Sequence, residues 1–283
     1  MNTLWDTHYT LAVGGQLKNT KYMILKDKIA IIYGATGSVG CAVSIKFASE
    51  GAIVILVARN KVKLKHLSDK IHAFGGNCQS YSLDAMSENK VVENLRLVKR
   101  KYSRIDISLN LISINDVQGK PLSEISLNDF LSPITVAMKT QFITAISAAK
   151  IMGEQENGVI LMLTAQAAKL PYINTGGFGV ACAAMEALTR QLAKEFGDKG
   201  VRAICLRSSG SPDAKGVNEI FTIHAKNEGI SREEFENKFA ERTMLKRLPI
   251  LNEVAETAAI MASNYSSAVT ATIVNLTCGE IAD

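Results

Sequence analysis

The chain has 283 residues, 47% of them hydrophobic and 21% charged, a balance that is typical of a globular protein and excludes a disordered or low-complexity chain. Its net charge of +5 comes from 32 basic and 27 acidic residues spread along the sequence, whereas a nucleic-acid-binding protein concentrates its basic residues in one stripe. No apolar run approaches the roughly 18 residues of a membrane-spanning helix, so neither a nucleic-acid nor a membrane partner is predicted.

The first 27 residues match no part of the pattern that follows, and we interpret them as an added N-terminal arm of unknown function. They carry Trp5, Asp6 and His8 where a secretory signal peptide has its basic and apolar regions, so they do not predict secretion. The five cysteines are scattered and form no C-x-x-C pair, which argues against a disulfide framework or a metal site. These features favour a cytoplasmic protein.

From residue 28 onward, short apolar runs alternate with helix-length segments. The predicted strands are 29–33, 53–58, 80–83, 105–114, 159–163, 201–206 and 272–276. The predicted helices are 38–50, 61–74, 88–102, 126–152, 178–196 and 253–262. Repeated βα units with apolar strands form a parallel sheet that is covered on both faces. We therefore predict an α/β fold over residues 28–283, a single domain with a doubly wound parallel sheet of the Rossmann type.

A polar segment, residues 211–248, interrupts this rhythm after the sixth strand and has a helical pattern. Ser231 and Glu234 form a predicted capping box inside it, and Ser126 and Asp129 resemble another at the start of the fourth helix. An excursion at this point follows the carboxyl end of a strand, where such folds bind ligands. It is either a substrate lid or a surface elaboration, and the sequence does not separate the two.

A glycine-rich turn, Gly34-Ala-Thr-Gly37-Ser-Val-Gly40, lies between the first strand and the first helix. The first glycine permits the tight turn, the second lets a pyrophosphate approach the backbone, and the third lets helix and strand pack closely. Phosphate then meets the unpaired N–H groups at the helix N-terminus. The turn predicts a dinucleotide site that includes Gly34, Thr36, Gly37, Ser38, Val39 and Gly40.

The end of the second strand indicates which dinucleotide binds. NAD-binding proteins place an Asp or Glu there for the ribose hydroxyls, whereas this chain has Ala58 followed by Arg59 and Asn60. The absence of a carboxylate removes a repulsion toward a 2′-phosphate, and a guanidinium can bind that phosphate through two hydrogen bonds. We therefore favour NADP(H) over NAD(H), with Arg59 and Asn60 in the cofactor site.

The order of these elements resembles the short-chain dehydrogenase/reductase family from Lys28 almost to the end of the chain. Asp84 matches the family's aspartate beside the adenine pocket, and Asn110 is the one residue of its N-N-A-G motif that survives. Further similar segments are 183–190, 200–202, 247–249, 253–255 and 275–279. The resemblance implies a dinucleotide-binding oxidoreductase with Asp84 and Asn110 in its cofactor pocket.

The family's catalytic groups do not carry over. It uses a Tyr proton donor, a Lys four residues later, a Ser and an Asn, and those positions fall on Phe178, Cys182, Ala165 and Ala137. A phenyl ring cannot donate a proton and a neutral thiol cannot replace the ammonium. Losing general acid catalysis alone costs about 10²–10⁴ in rate. The family's usual mechanism is therefore not expected here, and the catalytic residues are unknown.

Other residues that border the expected pocket could replace the missing proton donor. Thr164, Gln166, Lys169 and Tyr172 lie on the right segment, although a loop residue that faces solvent is the favoured interpretation of each. Cys182 would be reactive only with a lowered pKa and is more simply a buried apolar group. The family's enoyl reductases place Tyr and Lys at a longer spacing, and Thr175 stands near their Tyr position, so that branch is not supported.

Two functions remain open. One is an atypical NADP(H)-dependent oxidoreductase without the usual Tyr/Lys machinery, whose proton comes from water or an unrecognised side chain. The other is a non-catalytic dinucleotide-binding protein that acts as a sensor or partner subunit. The resemblance also implies a homodimer or homotetramer that pairs through the helices near 128–152 and 178–196, where alanines such as those in 145–149 would permit close approach.

Overall fold

The computed structural model describes residues 23–282, in which seven strands form one sheet. They are β1 (Ile29–Tyr33), β2 (Ile53–Ala58), β3 (Asn77–Ser82), β4 (Ile107–Asn110), β5 (Gly158–Ala165), β6 (Val201–Ser208) and β7 (Thr272–Leu276). All pairings are parallel, and the strand order is β3-β2-β1-β4-β5-β6-β7. The predicted Rossmann-type sheet is confirmed, and its strand order reverses direction between β1 and β4.

The helices cover both faces of this sheet. They are α1 (Ser38–Ser49), α2 (Lys61–Ala73), α3 (Glu88–Tyr102), α4 (Leu127–Glu154), α5 (Phe178–Phe196), α6 (Lys215–Glu228), α7 (Arg232–Glu241) and α8 (Leu251–Ala262). One apolar core layer lies beneath α3, α4 and α5, and the other beneath α1, α2 and α8. In the described part of the chain, none of these helices combines the length and the apolar content needed to cross a bilayer.

Two strands differ from their predicted bounds by three residues or more at one end. β3 begins at Asn77, three residues earlier than predicted, because it pairs along the whole of β2. Its polar sequence reflects its place at the edge of the sheet. β4 ends at Asn110 and not at 114. Leu111 N–H still donates to Tyr33 O on β1 (2.9 Å), and beyond this bond the chain turns out of the sheet. Residues 111–126 therefore form a loop above the sheet.

The packed domain begins before the predicted boundary at residue 28. Leu25 is fully buried in the core beneath α1 and α2, and its N–H donates to Glu50 O (3.0 Å). Asp27 N–H likewise donates to Gly51 O (3.0 Å). Residues 23–27 thus belong to the domain because they close the α1–β2 connection, and the rest of the predicted arm lies outside the described residues.

The excursion after β6 contains α6 and α7. Its second helix begins with the predicted capping box, in which Ser231 and Glu234 bond each other's backbone N–H. The two helices pack through a small apolar cluster centred on Phe221 and Phe235, whose rings are 5.4 Å apart. At the start of α4, Ser126 Oγ accepts from Asp129 N–H (3.0 Å), so the predicted N-cap also forms.

Candidate functional site

The predicted cofactor residues meet at the carboxyl edge of the sheet. The glycine turn follows β1, Arg59 follows β2, Asp84 follows β3, and Asn110 ends β4. These four strands are neighbours in the order β3-β2-β1-β4, so the residues span one continuous half of the edge. Ligands of doubly wound folds bind at the point where strand order reverses, and the glycine turn lies at that point.

The turn between β1 and α1 has no room for side chains at two of its glycines. Gly34 has φ +72°, and a Cβ there would lie 2.5 Å from Leu111 O. A Cβ on Gly40 would lie 2.2 Å from Gly34 O, whereas one on exposed Gly37 would lie 3.5 Å from the same atom, an ordinary contact. Since α1 has no side-chain cap and no acid in its first turn, its N–H groups suit a phosphate.

The end of β2 is cationic. Arg59 is exposed, and within residues 23–282 its guanidinium has no hydrogen bond or ion pair. Lys61 and Lys63 follow in the first turn of α2, which holds no acidic residue. Asn60 Oδ1 caps this helix by accepting from Lys63 N–H (2.9 Å). Asn60 therefore shapes the helix start, and Arg59 is the residue that can reach a ligand phosphate.

Asp84 and Asn110 are bonded within the protein. Asp84 Oδ1 accepts from Met86 N–H (3.0 Å) and orders the turn after β3. Asn110 is buried, and its amide donates to Thr144 Oγ1 (3.1 Å) and accepts from Ile112 N–H (3.0 Å). Asn110 thus ties α4 to the loop after β4. Through these bonds it would help to shape a cofactor pocket.

The four positions onto which the resemblance places the family's catalytic groups offer no exposed side chain. Ala137 and Cys182 are buried, and Ala165 and Phe178 are half-buried. The Cys182 thiol hydrogen bonds the Ala165 backbone, so α5 and the end of β5 meet as the resemblance implied. Burial raises the pKa of Cys182 to about 12, and the charges of Asp116 and Glu186 add to this rise. Cys182 is therefore a neutral core residue and not a reactive thiol.

The candidate replacements are mostly engaged. Thr164 is buried and donates to Glu186 Oε1 (3.2 Å). The Tyr172 hydroxyl donates to Glu280 Oε1 (2.6 Å) and accepts from Arg242 (3.0 Å). Burial and the neighbouring Glu280 raise the pKa of Tyr172, which makes it a poor acid at neutral pH.

Gln166 follows Ala165 directly and is buried. Its Nε2 donates to Ser209 O (3.1 Å), while its Oε1 has no partner in the described part of the chain. A buried acceptor without a partner is rare in native proteins. Gln166 Oε1 is therefore available to an N–H or O–H of a ligand. Lys169 is exposed at the end of the same short turn.

Two sets of polar contacts at this edge were not predicted, because no sequence motif marks their residues. Buried Arg207 on β6 forms a two-pronged ion pair with Glu186 on α5, with both distances 2.8 Å. Gln118 joins Asp116 to α6, because its amide donates to the Asp116 carboxylate and its Oε1 accepts from Nε2 of His224 on that helix (2.8 Å). No group of three or more His, Cys, Asp or Glu side chains within residues 23–282 is placed to hold a metal ion.

The excursion lies over this edge. Lys215 N–H, at the start of α6, donates to Ser38 Oγ of the glycine turn (3.1 Å). Asn227 donates to Gly119 O in the loop after β4 (2.8 Å), and Arg242 forms an ion pair with Glu280 after β7 (3.1 Å). These contacts hold the α6–α7 excursion over the carboxyl edge of the sheet, where a substrate lid is expected.

Comparison with known proteins agrees with this architecture. The family model described as Enoyl-(Acyl carrier protein) reductase matches residues 34–279. The uncharacterized oxidoreductase YxbG of Bacillus subtilis (strain 168) is 28% identical over 250 residues, covering 87% of this chain and 88% of the relative. The 7alpha-hydroxysteroid dehydrogenase of Escherichia coli (strain K12) is 27% identical over 264 residues, covering 93% and 98%.

Solved structures share the fold. An NAD+-bound xylitol dehydrogenase has a TM-score of 0.84 at 20% identity, covering 89% of this chain and 98% of that one. A 7alpha-hydroxysteroid dehydrogenase complexed with NADH and 7-oxo glycochenodeoxycholic acid has a TM-score of 0.79 at 25% identity, covering 93% and 97%. The chain belongs to the short-chain dehydrogenase/reductase family of oxidoreductases.

Proposed function

We propose that this protein is an NADP(H)-dependent oxidoreductase that transfers its proton without the family's Tyr and Lys. The observation that carries the cofactor choice is the exposed Arg59 at the end of β2, whose guanidinium has no partner within residues 23–282 and whose strand ends without a carboxylate to bind ribose hydroxyls. Lys61 and Lys63 add positive charge at the same place. A 2′-phosphate would be attracted to this group, whereas a ribose hydroxyl would find no acceptor of matching charge.

The residues present fit the dinucleotide. Gly34 and Gly40 form a cradle that a Cβ would fill, and the start of α1 offers N–H groups to a pyrophosphate. When bound, the nicotinamide donates or accepts the hydride. The protein's part is to bind the phosphates, to orient the ring toward the end of β5, and to exclude water beneath α6 and α7.

We expect purified protein to bind NADPH in the micromolar range and NADH at least about tenfold more weakly (about 1.4 kcal/mol), as measured by ligand fluorescence or calorimetry. Arg59→Ala should remove most of this preference while leaving NADH affinity unchanged. Arg100→Ala is the matched control, because Arg100 is an exposed cation in the last turn of α3, remote from the carboxyl edge. Equal affinity for both cofactors in the wild type would contradict the choice of NADP(H). Binding without turnover of any carbonyl would instead favour a sensor.

The substrate side of the edge is apolar. Large side chains between 62% and 80% exposed project from the loops after β4 and β5 and from the end of the lid: Leu122, Ile173, Met244 and Leu245. The segments that carry them touch, since Gly119 N–H donates to Asn174 O (2.7 Å) and Arg242 Nη2 donates to the Tyr172 hydroxyl (3.0 Å). Exposed apolar patches mark ligand grooves, so we propose an apolar carbonyl or alcohol substrate.

We also propose a homo-oligomer that pairs through α4 and α5. The alanines expected at that interface are not available, because Ala145, Ala148 and Ala149 are buried inside the subunit. The exposed apolar residues of α4 include Phe142, which is 56% exposed. Leu131 on α4 and Val180 on α5 are also exposed.

Phe142→Asp should weaken self-association by about 100-fold or more (about 2.7 kcal/mol), because each of two subunits loses a buried ring and gains a buried charge. Sedimentation velocity across a concentration series measures this. Phe74→Asp is the control, since Phe74 is comparably exposed (48%) but ends α2 on the other side of the sheet. Unchanged association in Phe142→Asp would place the interface elsewhere.

A further inference from the structure

The loop after β4 brings one carboxylate, Asp116, near the start of α5, where the resemblance places the family's tyrosine and lysine. Gly119 N–H donates to Asn174 O (2.7 Å), and a Cβ on Gly176 would lie 2.8 Å from Val117 O. This loop therefore lies against the residues that lead into Phe178. Asp116 precedes Val117 and is half-buried. Its charge acts on the Cys182 thiol one helical turn beyond Phe178.

The other carboxylate that acts on Cys182 is already engaged. Glu186 is buried, and both of its oxygens accept from Arg207 at 2.8 Å while Thr164 donates to Oε1. Asp116 Oδ2, by contrast, accepts from Gln118, and its Oδ1 takes no hydrogen bond within the part of the chain that the structure describes. Asp116 is thus the carboxylate beside the substituted positions that has an oxygen available to a ligand.

The lid orients this carboxylate. Gln118 bridges Asp116 to His224 on α6, and Asn227, one turn further along α6, donates to Gly119 O (2.8 Å). When α6 lies in this position, the loop from 116 to 119 is held at two points. The orientation of the Asp116 carboxylate is therefore set in part by α6.

We propose that Asp116 exchanges the proton with the substrate oxygen, in the role that the family gives to tyrosine; this assignment rests on the proposed oxidoreductase function. In alcohol oxidation, the Asp116 carboxylate takes the proton of the substrate O–H, and the electrons of that bond form the carbonyl π bond. The C–H bond on the same carbon breaks, and its hydrogen leaves with the electron pair as a hydride to the oxidised cofactor. Asp116 then releases its proton to water, which leaves the carboxylate, a carbonyl, reduced cofactor and hydronium. In carbonyl reduction every transfer is reversed.

The test uses the full chain, NADPH and ethyl benzoylformate, an electron-poor aromatic α-keto ester. Asp116→Asn should lower kcat/KM for its reduction by about 10²–10⁴ while the Kd for NADPH stays within about twofold. Asp116→Glu should retain part of the rate, and formate should restore part of it to Asp116→Ala. Asp198→Asn is the matched control, because Asp198 is exposed in the turn before β6, at the opposite edge of the sheet.

A binding measurement complements the kinetics. NADPH and ethyl mandelate, the product alcohol, form a complex that cannot react because both are reduced. The alcohol O–H should donate to the Asp116 carboxylate, so Asp116→Asn should weaken ethyl mandelate binding at least about tenfold, since bonds to charged groups are the stronger ones. Calorimetry measures this without turnover.

Each outcome decides the assignment. Wild-type kcat/KM or unchanged ethyl mandelate affinity in Asp116→Asn overturns it. A wild-type protein that binds NADPH but neither reduces the ester nor binds the alcohol also overturns it. Failure to bind NADPH at all overturns the proposed function itself, and the NADPH titration alone identifies that case.

Discussion

Replacing Glu186 with alanine should lower the free energy of unfolding by about 3–5 kcal/mol, which is the cost of leaving one partner of a buried ion pair without its counter-charge. Glu186 and Arg207 are both nearly inaccessible, and their side chains meet through two bonds of 2.8 Å. Because the pair joins α5 to β6, its loss would loosen the helix that carries Phe178 and Cys182. Denaturant unfolding, followed by circular dichroism, measures the change.

A paired replacement separates charge from packing. Glu186→Leu combined with Arg207→Met removes both charges and keeps apolar volume, so it should recover most of the lost stability. If the double variant is as unstable as Glu186→Ala, the loss arises from packing and the electrostatic explanation fails. Glu195→Ala, at an exposed position on the same helix, is the control and should change stability by less than about 0.5 kcal/mol.

Gly40→Ala should abolish measurable NADPH binding and destabilise the domain. Its Cβ would lie 2.2 Å from Gly34 O, so the turn between β1 and α1 must shift. Overpacking of this kind typically costs about 1–3 kcal/mol of stability. The displaced N–H groups would no longer converge on a phosphate, and we expect NADPH affinity to fall at least about 100-fold (about 2.7 kcal/mol). Thermal unfolding and calorimetric titration report the two effects.

Gly37→Ala distinguishes the needs of the fold from those of the ligand. Its Cβ would make only an ordinary 3.5 Å contact with Gly34 O, and alanine at a helix N-cap costs about 1 kcal/mol or less relative to glycine. Stability should therefore change little, while NADPH affinity should fall about tenfold or more because the Cβ projects where a pyrophosphate approaches. If Gly37→Ala binds NADPH like the wild type, the phosphates do not lie against this turn.

The sequence determined the fold because its signals are local. Apolar runs such as 29–33 and the glycines that follow them specify a strand and a turn through short-range sterics, and the repeated βα rhythm restricts the topology to a doubly wound sheet. The structure has that sheet and the helical excursion after β6. The sequence predicted the bounds of β3 and β4 less well. Where these two strands begin and end depends on their pairing with neighbouring strands, which local sequence does not encode.

The candidate site was likewise predictable only in part. The glycine turn, Arg59, Asp84 and Asn110 could be assigned to the edge of the sheet because each directly follows or ends a strand. Position along the chain does not reveal whether a side chain has spare bonding capacity. The structure shows the Asn60 and Asn110 side chains bonded within the protein, whereas the Arg59 guanidinium has no partner among the described residues 23–282. Their relative access to a ligand is a tertiary property.

Asp116, His224, Glu186 and Arg207 were decided only by the tertiary structure. They come from a loop, a lid helix, a core helix and a strand, and the bond between His224 and Gln118 joins residues 106 positions apart. No spacing rule relates such residues, because charge pairing acts through space and depends on burial. The sequence by itself determined the scaffold and predicted that the family's catalytic groups are substituted, whereas the packing of the loop after β4 against α5 and α6 decided that Asp116 lies near the start of α5.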